Sequence, residues 1–181
     1  MPAWNAAATL AEAVASVREQ TFASWELLIA DDASTDETRA IAEALAGTDP
    51  RIRLLAHDRH EGAASARNRA LAASRGRYVA FLDADDLWLP EKLERQVRFM
   101  RETGAALSHT GYVRRRAGRA DRRVSVPDAV GYEDLLRGNV IGCLTAMYDT
   151  ASCGKVPMRA IPRRHDFALW LDIVKRCGPA R

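Results

Sequence analysis

The sequence predicts an α/β fold: a mostly parallel, Rossmann-like sheet flanked by helices, followed by a smaller β/α region. Three observations predict it. Helical and strand-like stretches alternate from residue 6 to residue 103, as parallel sheets with crossover helices require. The strand-like runs are continuously apolar, the pattern of strands covered on both faces. Two of them end in clustered acids, Asp31-Asp32 and Asp83-Ala84-Asp85-Asp86. In open α/β sheets, ligands bind beyond the carboxyl ends of the strands.

The elements follow in order. Asn5 is placed to cap a helix over Ala6–Gln20, with Leu10, Ala13, Val14 and Val17 as its apolar stripe. Trp25–Ala30 reads as a strand ending at Asp31-Asp32. Ser34 followed by Glu37 has the form of a capping box opening a helix to about Ala46. Ile52–Ala56 is a short strand, and Gly62–Ser74 is helical, stopped by Gly76. The run from Tyr78 delivers Asp83, Asp85 and Asp86 to the sheet edge, and Pro90 suits the first turn of a helix reaching Thr103. A sheet of this kind begins with a strand, whereas Met1-Pro2 reads as the end of one. The first strand is therefore expected to be cut short.

After Gly104 the alternation stops. Ala105–Val113 and Arg122–Pro127 are strand-like and joined by an arginine-rich turn around Gly118. Tyr132–Arg137 is a short helix, Val140–Tyr148 leans to β, and Asp166–Lys175 is helical up to Gly178-Pro179. The division expected is one domain in two halves, residues 1–104 and 105–181.

The chain has 181 residues, of which 48% are hydrophobic and 28% charged, enough for one substantial core. No apolar run approaches the ~20 residues of a membrane span, and no signal peptide is evident at the N-terminus. Cys143, Cys153 and Cys177 are odd in number and irregularly spaced, which points to reduced thiols in the cytoplasm. A net charge of +3 gives no reason to expect nucleic acid as a partner. The positive charge is concentrated in Arg114, Arg115, Arg116, Arg119, Arg122 and Arg123. That cluster suits an anionic lipid-linked acceptor or peripheral contact with an acidic membrane surface; a solvated hairpin tip is the plainer reading.

Three carboxylates within four residues repel one another unless a cation sits among them. Hard oxygen donors in small number suit Mg²⁺ or Mn²⁺ with phosphate oxygens completing the shell. An acidic turn before a helix is the alternative. An EF-hand loop is disfavoured, because Trp88 stands where such a loop needs glycine and Leu87 and Pro90 suit it poorly. Asp83 as a phosphohydrolase nucleophile also remains open. Trp4 could stack on a nucleobase or belong to a core, and Asp32 could accept from a base N–H. Arg67 could face a diphosphate or only water.

Pro2-Ala3-Trp4-Asn5, Asp31-Asp32-Ala33-Ser34-Thr35-Asp36, Gly62-Ala63-Ala64-Ser65-Ala66-Arg67-Asn68 and Phe81-Leu82-Asp83-Ala84-Asp85-Asp86, in this order, resemble the family 2 glycosyltransferases of the GT-A fold. Gly142–Asp149 and Arg164–Leu171 are similar to the branch that serves teichuronic acid and capsular polysaccharide synthesis. The resemblance implies an inverting, metal-dependent transfer of a sugar from a nucleotide diphosphate, UDP in most relatives, to a cell-envelope glycan or lipid-linked glycan. It implies Trp4 and Asn5 at the nucleotide, Asp31 and Asp32 at the base edge, and Arg67 on the diphosphate side. Asp83 is implied at the ribose and metal, Asp85 at the metal, and Asp166 as general base. Where many relatives carry Glu-Asp, this chain has His165-Asp166. It implies work in the cytoplasm, at the inner face of the membrane. The rival reading is a truncated, non-catalytic nucleotide-sugar-binding remnant.

Overall fold

A computed structural model of the chain describes residues 1–115, 118–161 and 163–181. Its centre is a parallel sheet of β1 (Pro2–Ala3), β2 (Leu27–Asp32) and β3 (Ile52–His57), in that spatial order. Every residue of β2 is buried. Leu27 and Ile29 pack toward helix α1 (Leu10–Arg18), while Leu28 and Ala30 pack on Ala66 and Ala70 of α3 (Ala63–Ala73). The continuous apolar run is the consequence of having a helix on each face. Helix α2 (Thr38–Thr48) connects β2 to β3.

A second sheet has the order β4 (Tyr78–Ala80), β8 (Met147–Asp149), β5 (Leu107–Ser108), with β8 antiparallel to both neighbours. Helix α4 (Lys92–Thr103) lies between β4 and β5 in sequence and ends at Gly104 in the left-handed conformation. The hairpin of β6 (Tyr112–Arg114) and β7 (Arg122–Val124) projects from this region. Arg114, Arg115, Arg119, Arg122 and Arg123 are exposed on it, and Arg116 lies outside the described residues. The chain closes with α5 (Tyr132–Arg137), α6 (Thr150–Cys153) and α7 (His165–Cys177). One core joins the two halves: Leu71 and Phe81 pack with Leu107, Tyr148, Trp170 and Ile173, the last four fully buried.

Several local expectations are corrected. Helix α1 starts at Leu10, and Asn5 does not cap it; Asn5 takes φ 49° and its Oδ1 accepts from Thr35 N at 2.9 Å. The capping box does not form, because Ser34 Oγ accepts from Asn5 N and α2 begins only at Thr38. Both side chains are used to lock the loop after β1 to the loop after β2, a tertiary partner outcompeting a local one. The stretch 105–113 is split into β5 and β6. The first strand is present as two residues, held to β2 in the register Pro2 to Ala30 and Ala3 to Asp31. The three cysteines are free.

Candidate active site

The carboxyl ends of β1 and β2, the start of α3 and the turn after β4 surround a cleft of about 340 Å³. Trp4, Asn5, Asp32, Arg67, Asp83 and Asp85 line it. Trp4 and Asp85, 81 residues apart in sequence, meet where the loops after β1, β2 and β4 converge. Asp31 and Asp166 do not line the cleft.

Asp32 is the most heavily bonded of these groups. Its Oδ2 accepts from Gly62 N at 2.6 Å and Glu61 N at 3.1 Å, and its Oδ1 from Arg69 Nη2 at 2.7 Å. His60 Nδ1 lies 3.0 Å from Oδ2. Burial alone would raise this carboxyl's pKa, but the bonds from Arg69, Gly62 and Glu61 outweigh it and hold it below the usual range. Gly62 has φ 92°, which aims its N–H at the carboxylate and which an L side chain rarely adopts. Asp31, one residue back, points to the opposite face of the strand and is fully buried. Neither of its oxygens has a hydrogen-bond partner among the described residues.

Trp4 is half exposed, at 52%, and its ring lies 4.4 Å from that of His60, tilted by 31°. His60 and Arg69 were not singled out from sequence. His60 precedes the Gly62 turn in a polar stretch with no periodicity, and Arg69 sits on a helix where arginine is ordinarily solvated.

Arg67 occupies the floor. It is 7% exposed, pairs through Nη2 with Asp83 Oδ1, and brings Nη1 to 2.6 Å from His165 Nε2. Only a neutral ring can accept there. Burial, and then the charge of Arg67, lower the pKa of His165 and so favour that form. His165 and Asp166 open α7, so this contact brings the first turn of that helix to the strand-end acids. Arg67, Asp83, Asp86 and Asp166 all act on the buried Cys143 thiol, whose pKa burial pushes up to about 12. Asn68 ties the same helix to the second half, donating to Met158 O at 2.9 Å and accepting from Met158 N at 2.8 Å.

Asp86 has its pKa raised to about 6, by burial first and then by the charges of Asp83 and Asp85. Such crowding is relieved by a cation. Among the described residues no three His, Cys, Asp or Glu side chains are arranged to hold a metal unaided. Asp83 and Asp85 nonetheless offer hard oxygens beside an open cleft, a donor set that fits Mg²⁺ or Mn²⁺ with phosphate oxygens completing the shell.

The sequence profile of glycosyl transferase family 2 matches residues 1–146. TuaG of Bacillus subtilis (strain 168), a glycosyltransferase named for teichuronic acid biosynthesis, is 41% identical over 177 residues, covering 97% of this chain and 70% of that protein. The UDP-Glc:alpha-D-GlcNAc-diphosphoundecaprenol beta-1,3-glucosyltransferase WfgD of Escherichia coli is 37% identical over 175 residues, covering 97% of this chain and 68% of its own length. Among solved structures, S. aureus TarS in complex with UDP superposes with a TM-score of 0.77 at 21% identity, over 98% of this chain and 54% of that one. The mannosyltransferase PcManGT from Pyrobaculum calidifontis, in complex with GDP-Man and Mn²⁺, gives 0.76 at 19% identity, over 99% and 52%. The chain thus spans about half the length of the solved structures it matches, and at these identities they bear on the fold alone. The fold they share with it is that of GT-A glycosyltransferases.

Proposed function

Since this chain belongs to glycosyl transferase family 2, we propose that it transfers a sugar from a UDP-sugar to a cell-envelope glycan carried on a lipid, with inversion at the anomeric carbon. The observation that carries this reading is the convergence at Arg67. One guanidinium links the acidic end of the β4 run, through Asp83, to the first turn of α7, through His165. A diphosphate placed there has a cation for its charge, acids for its metal, and a carboxylate, Asp166, on the acceptor side.

In this reading the division of the chain follows its two halves, residues 1–104 for the donor and 105–181 for the acceptor and the base. Trp4 stacks on the base, with His60 as the ring it already faces. Asp32 lines the nucleotide cleft while organising the Glu61–Gly62 turn, and Asp31 supplies unpaired acceptor capacity behind it. Asn5 holds the loop that presents Trp4. Asp83 and Asp85 hold Mg²⁺ or Mn²⁺, which when bound offsets the charge of the departing diphosphate. Asp166 removes the acceptor hydroxyl's proton as its oxygen bonds to C1. The C1–O bond to phosphate breaks, and its electron pair leaves with UDP. A positioned base contributes roughly 10²–10⁴-fold to such a step. Attack opposite the leaving group turns an α-linked donor into a β-linked product, and the name of WfgD, with UDP-Glc as donor and a beta-1,3 linkage, supports that outcome.

The same name supports a diphospholipid-linked acceptor and thus work at the cytoplasmic face of a membrane. Among the described residues no helix is long and apolar enough to cross one. The exposed arginines of the β6–β7 hairpin fit peripheral contact with anionic headgroups. The phosphohydrolase reading loses ground, because the Asp83 carboxylate is engaged by Arg67.

The deciding experiment is calorimetric titration of UDP with and without Mn²⁺, on the native chain and on Asp85→Ala, followed by transfer assays on Asp166→Asn. Micromolar binding that needs both metal and Asp85, with Asp166→Asn binding UDP-sugar but losing transfer, is the expected result. Full transfer by Asp166→Asn would remove the base assignment.

A further inference from the structure

Two thiols meet at the far end of α7, away from Asp166. Cys153 is the last residue of α6 and Cys177 the last of α7. The Cys177 thiol donates to Ser152 O at 3.8 Å, and that carbonyl is joined directly to the Cys153 nitrogen. The Cys153 thiol in turn has Cys177 as a hydrogen-bonding neighbour. Burial first, and then Cys177, raise its pKa to about 12. Both cysteines are free and half-buried. Cys153 packs against the main core, whereas the Cys177 bond to Ser152 faces solvent. The third thiol, Cys143, belongs to the site, where the charges of Arg67, Asp83 and Asp166 act on it. The floor beneath the pair is firm. Helix α6 starts from the end of β8, where Asp149 accepts from Ala151 N at 2.9 Å and from Arg77 Nη2 at 2.7 Å. Residues 154–176, between the cysteines, hold the α6–α7 connection and all of α7 but its last residue.

We propose that Cys153 and Cys177 are a reversible redox pair, closed into a disulfide by a small-molecule disulfide of the glutathione class. The chemistry is two successive thiol–disulfide exchanges. Cys177, on the solvent side, gives its proton to water and attacks the small disulfide. A bond forms to its sulfur, the bond within the oxidant breaks, and one small thiolate leaves. Cys153 then gives up its proton and attacks Cys177 Sγ. The Cys153–Cys177 bond forms, the mixed disulfide breaks, and the second small thiolate leaves. The pair has lost two protons and two electrons, and the oxidant has become two thiols. With its pKa near 12, Cys153 keeps its proton until the mixed disulfide is beside it, so it resolves and does not attack first. Lys175 and Arg176, exposed just before Cys177, offer positive charge to the carboxylates of such an oxidant. Closure pins the last turn of α7 to α6, while Arg67 holds the first turn through His165. A bridge at the surface is readily reopened by thiols, which makes this a sensor and not a permanent staple. The inference rests on the thiols alone and does not depend on the sugar-transfer reading.

The test equilibrates the native chain in mixtures of reduced and oxidised glutathione, quenches with acid and alkylates the remaining thiols. The expected product is a monomer lighter by two hydrogens, alkylated at Cys143 alone. Peptide mapping, with fragmentation that separates Cys143 from Cys153, is expected to find Cys153 joined to Cys177. The bridged form is expected to melt about 5–10 °C above the reduced one, because the bond restricts the unfolded chain. Dithiothreitol should reverse the gain, and Cys177→Ser should never show it. A chain that keeps all its thiols would overturn the proposal, as would one that stops at a mixed disulfide on Cys177. So would a bridge to Cys143, a bridge between two chains, one that forms only in urea, or one that leaves the melting temperature unchanged. Should Cys177→Ser fail to fold, Cys153→Ser is the control, and the mapping on the native chain decides without either.

Discussion

Replacing Asp32 with Asn should destabilise the protein far more than a loop-facing acid ordinarily would. The carboxylate is 2% exposed and accepts two backbone N–H groups and one arm of Arg69. Each charge-assisted bond is worth about 1.5–3 kcal/mol net. An amide keeps the shape but turns an NH₂ toward one of those donors, and Arg69, whose side chain is 24% exposed, keeps Glu61 and Ser65 but loses the charge of its buried partner. Breaking a well-buried pair costs about 3–5 kcal/mol; partial access of Arg69 to water places this one near the lower end, about 3 kcal/mol. For a chain of this size that is a fall of roughly 6–12 °C in Tm. Arg69→Met takes one donor from Asp32, together with the more exposed bonds to Glu61 and Ser65, and should cost about 1–2 kcal/mol. The double variant should fall short of the sum by at least about 1 kcal/mol. Thermal and urea unfolding at pH 7 measure this. Because the folded pKa of Asp32 is depressed below its ordinary 3.8, its contribution is complete above that value and fades as pH falls through the depressed one. The native and Asp32→Asn curves should therefore converge in acid. An Asp32→Asn variant within about 0.5 kcal/mol of native at pH 7, with no coupling to Arg69, would refute the account of Asp32 as organiser of the turn.

Other consequences are open to measurement. Gly62→Ala meets no atom within 4 Å but must hold φ 92°; the backbone penalty of about 1–2 kcal/mol should appear in unfolding, and the tilted Gly62 N–H should weaken UDP binding as well. Lys92 Nζ is buried with no hydrogen-bond partner among the described residues, 4.0 Å from the Trp88 ring centroid, and burial lowers its pKa to about 7. The unfolded chain holds that proton to higher pH, so native stability rises from about pH 7 toward 10. Lys92→Met should stabilise by about 1–4 kcal/mol at neutral pH and below, with the gain shrinking by pH 10 in parallel melts. Trp4→Ala should weaken UDP by about 1–3 kcal/mol in calorimetry with little change in Tm, given its exposure. His165→Gln, which retains an acceptor for Arg67, should flatten any loss of nucleotide binding seen as pH drops below 6.5, the ordinary His pKa, toward the lowered value.

The acids at the sheet edge were legible because acids after an apolar run have a strong local pattern, as at Asp31-Asp32 at the end of β2; before Asp83 the strand itself stops earlier than the apolar run, at Ala80. Tyr132–Arg137 was legible in both boundaries, since Gly131 and Gly138 flank a short apolar-polar helix. What sequence could not disclose was who partners whom. Ser34 and Asn5 each have a local capping option, and tertiary bonds 29 and 30 residues away displaced both. The insertion of β8 between β4 and β5, antiparallel to both, leaves no trace in a stretch that is merely apolar. His60 and Arg69 acquire meaning only once Asp32 is in place between them. His165, a helix-start residue by its sequence position, becomes part of the site only through Arg67.

The contact between Arg67 and its two partners also bears on the order of events. Before any nucleotide arrives, the guanidinium is spent on Asp83 and His165, and Asp83 is correspondingly neutralised. Under the proposed sugar-transfer reading, a free divalent ion would meet an acid already balanced by a positive neighbour and gain little by entering. A diphosphate would compete for Arg67, free the carboxylate and bring its own oxygens, so that the proposed metal and nucleotide would arrive as one cargo.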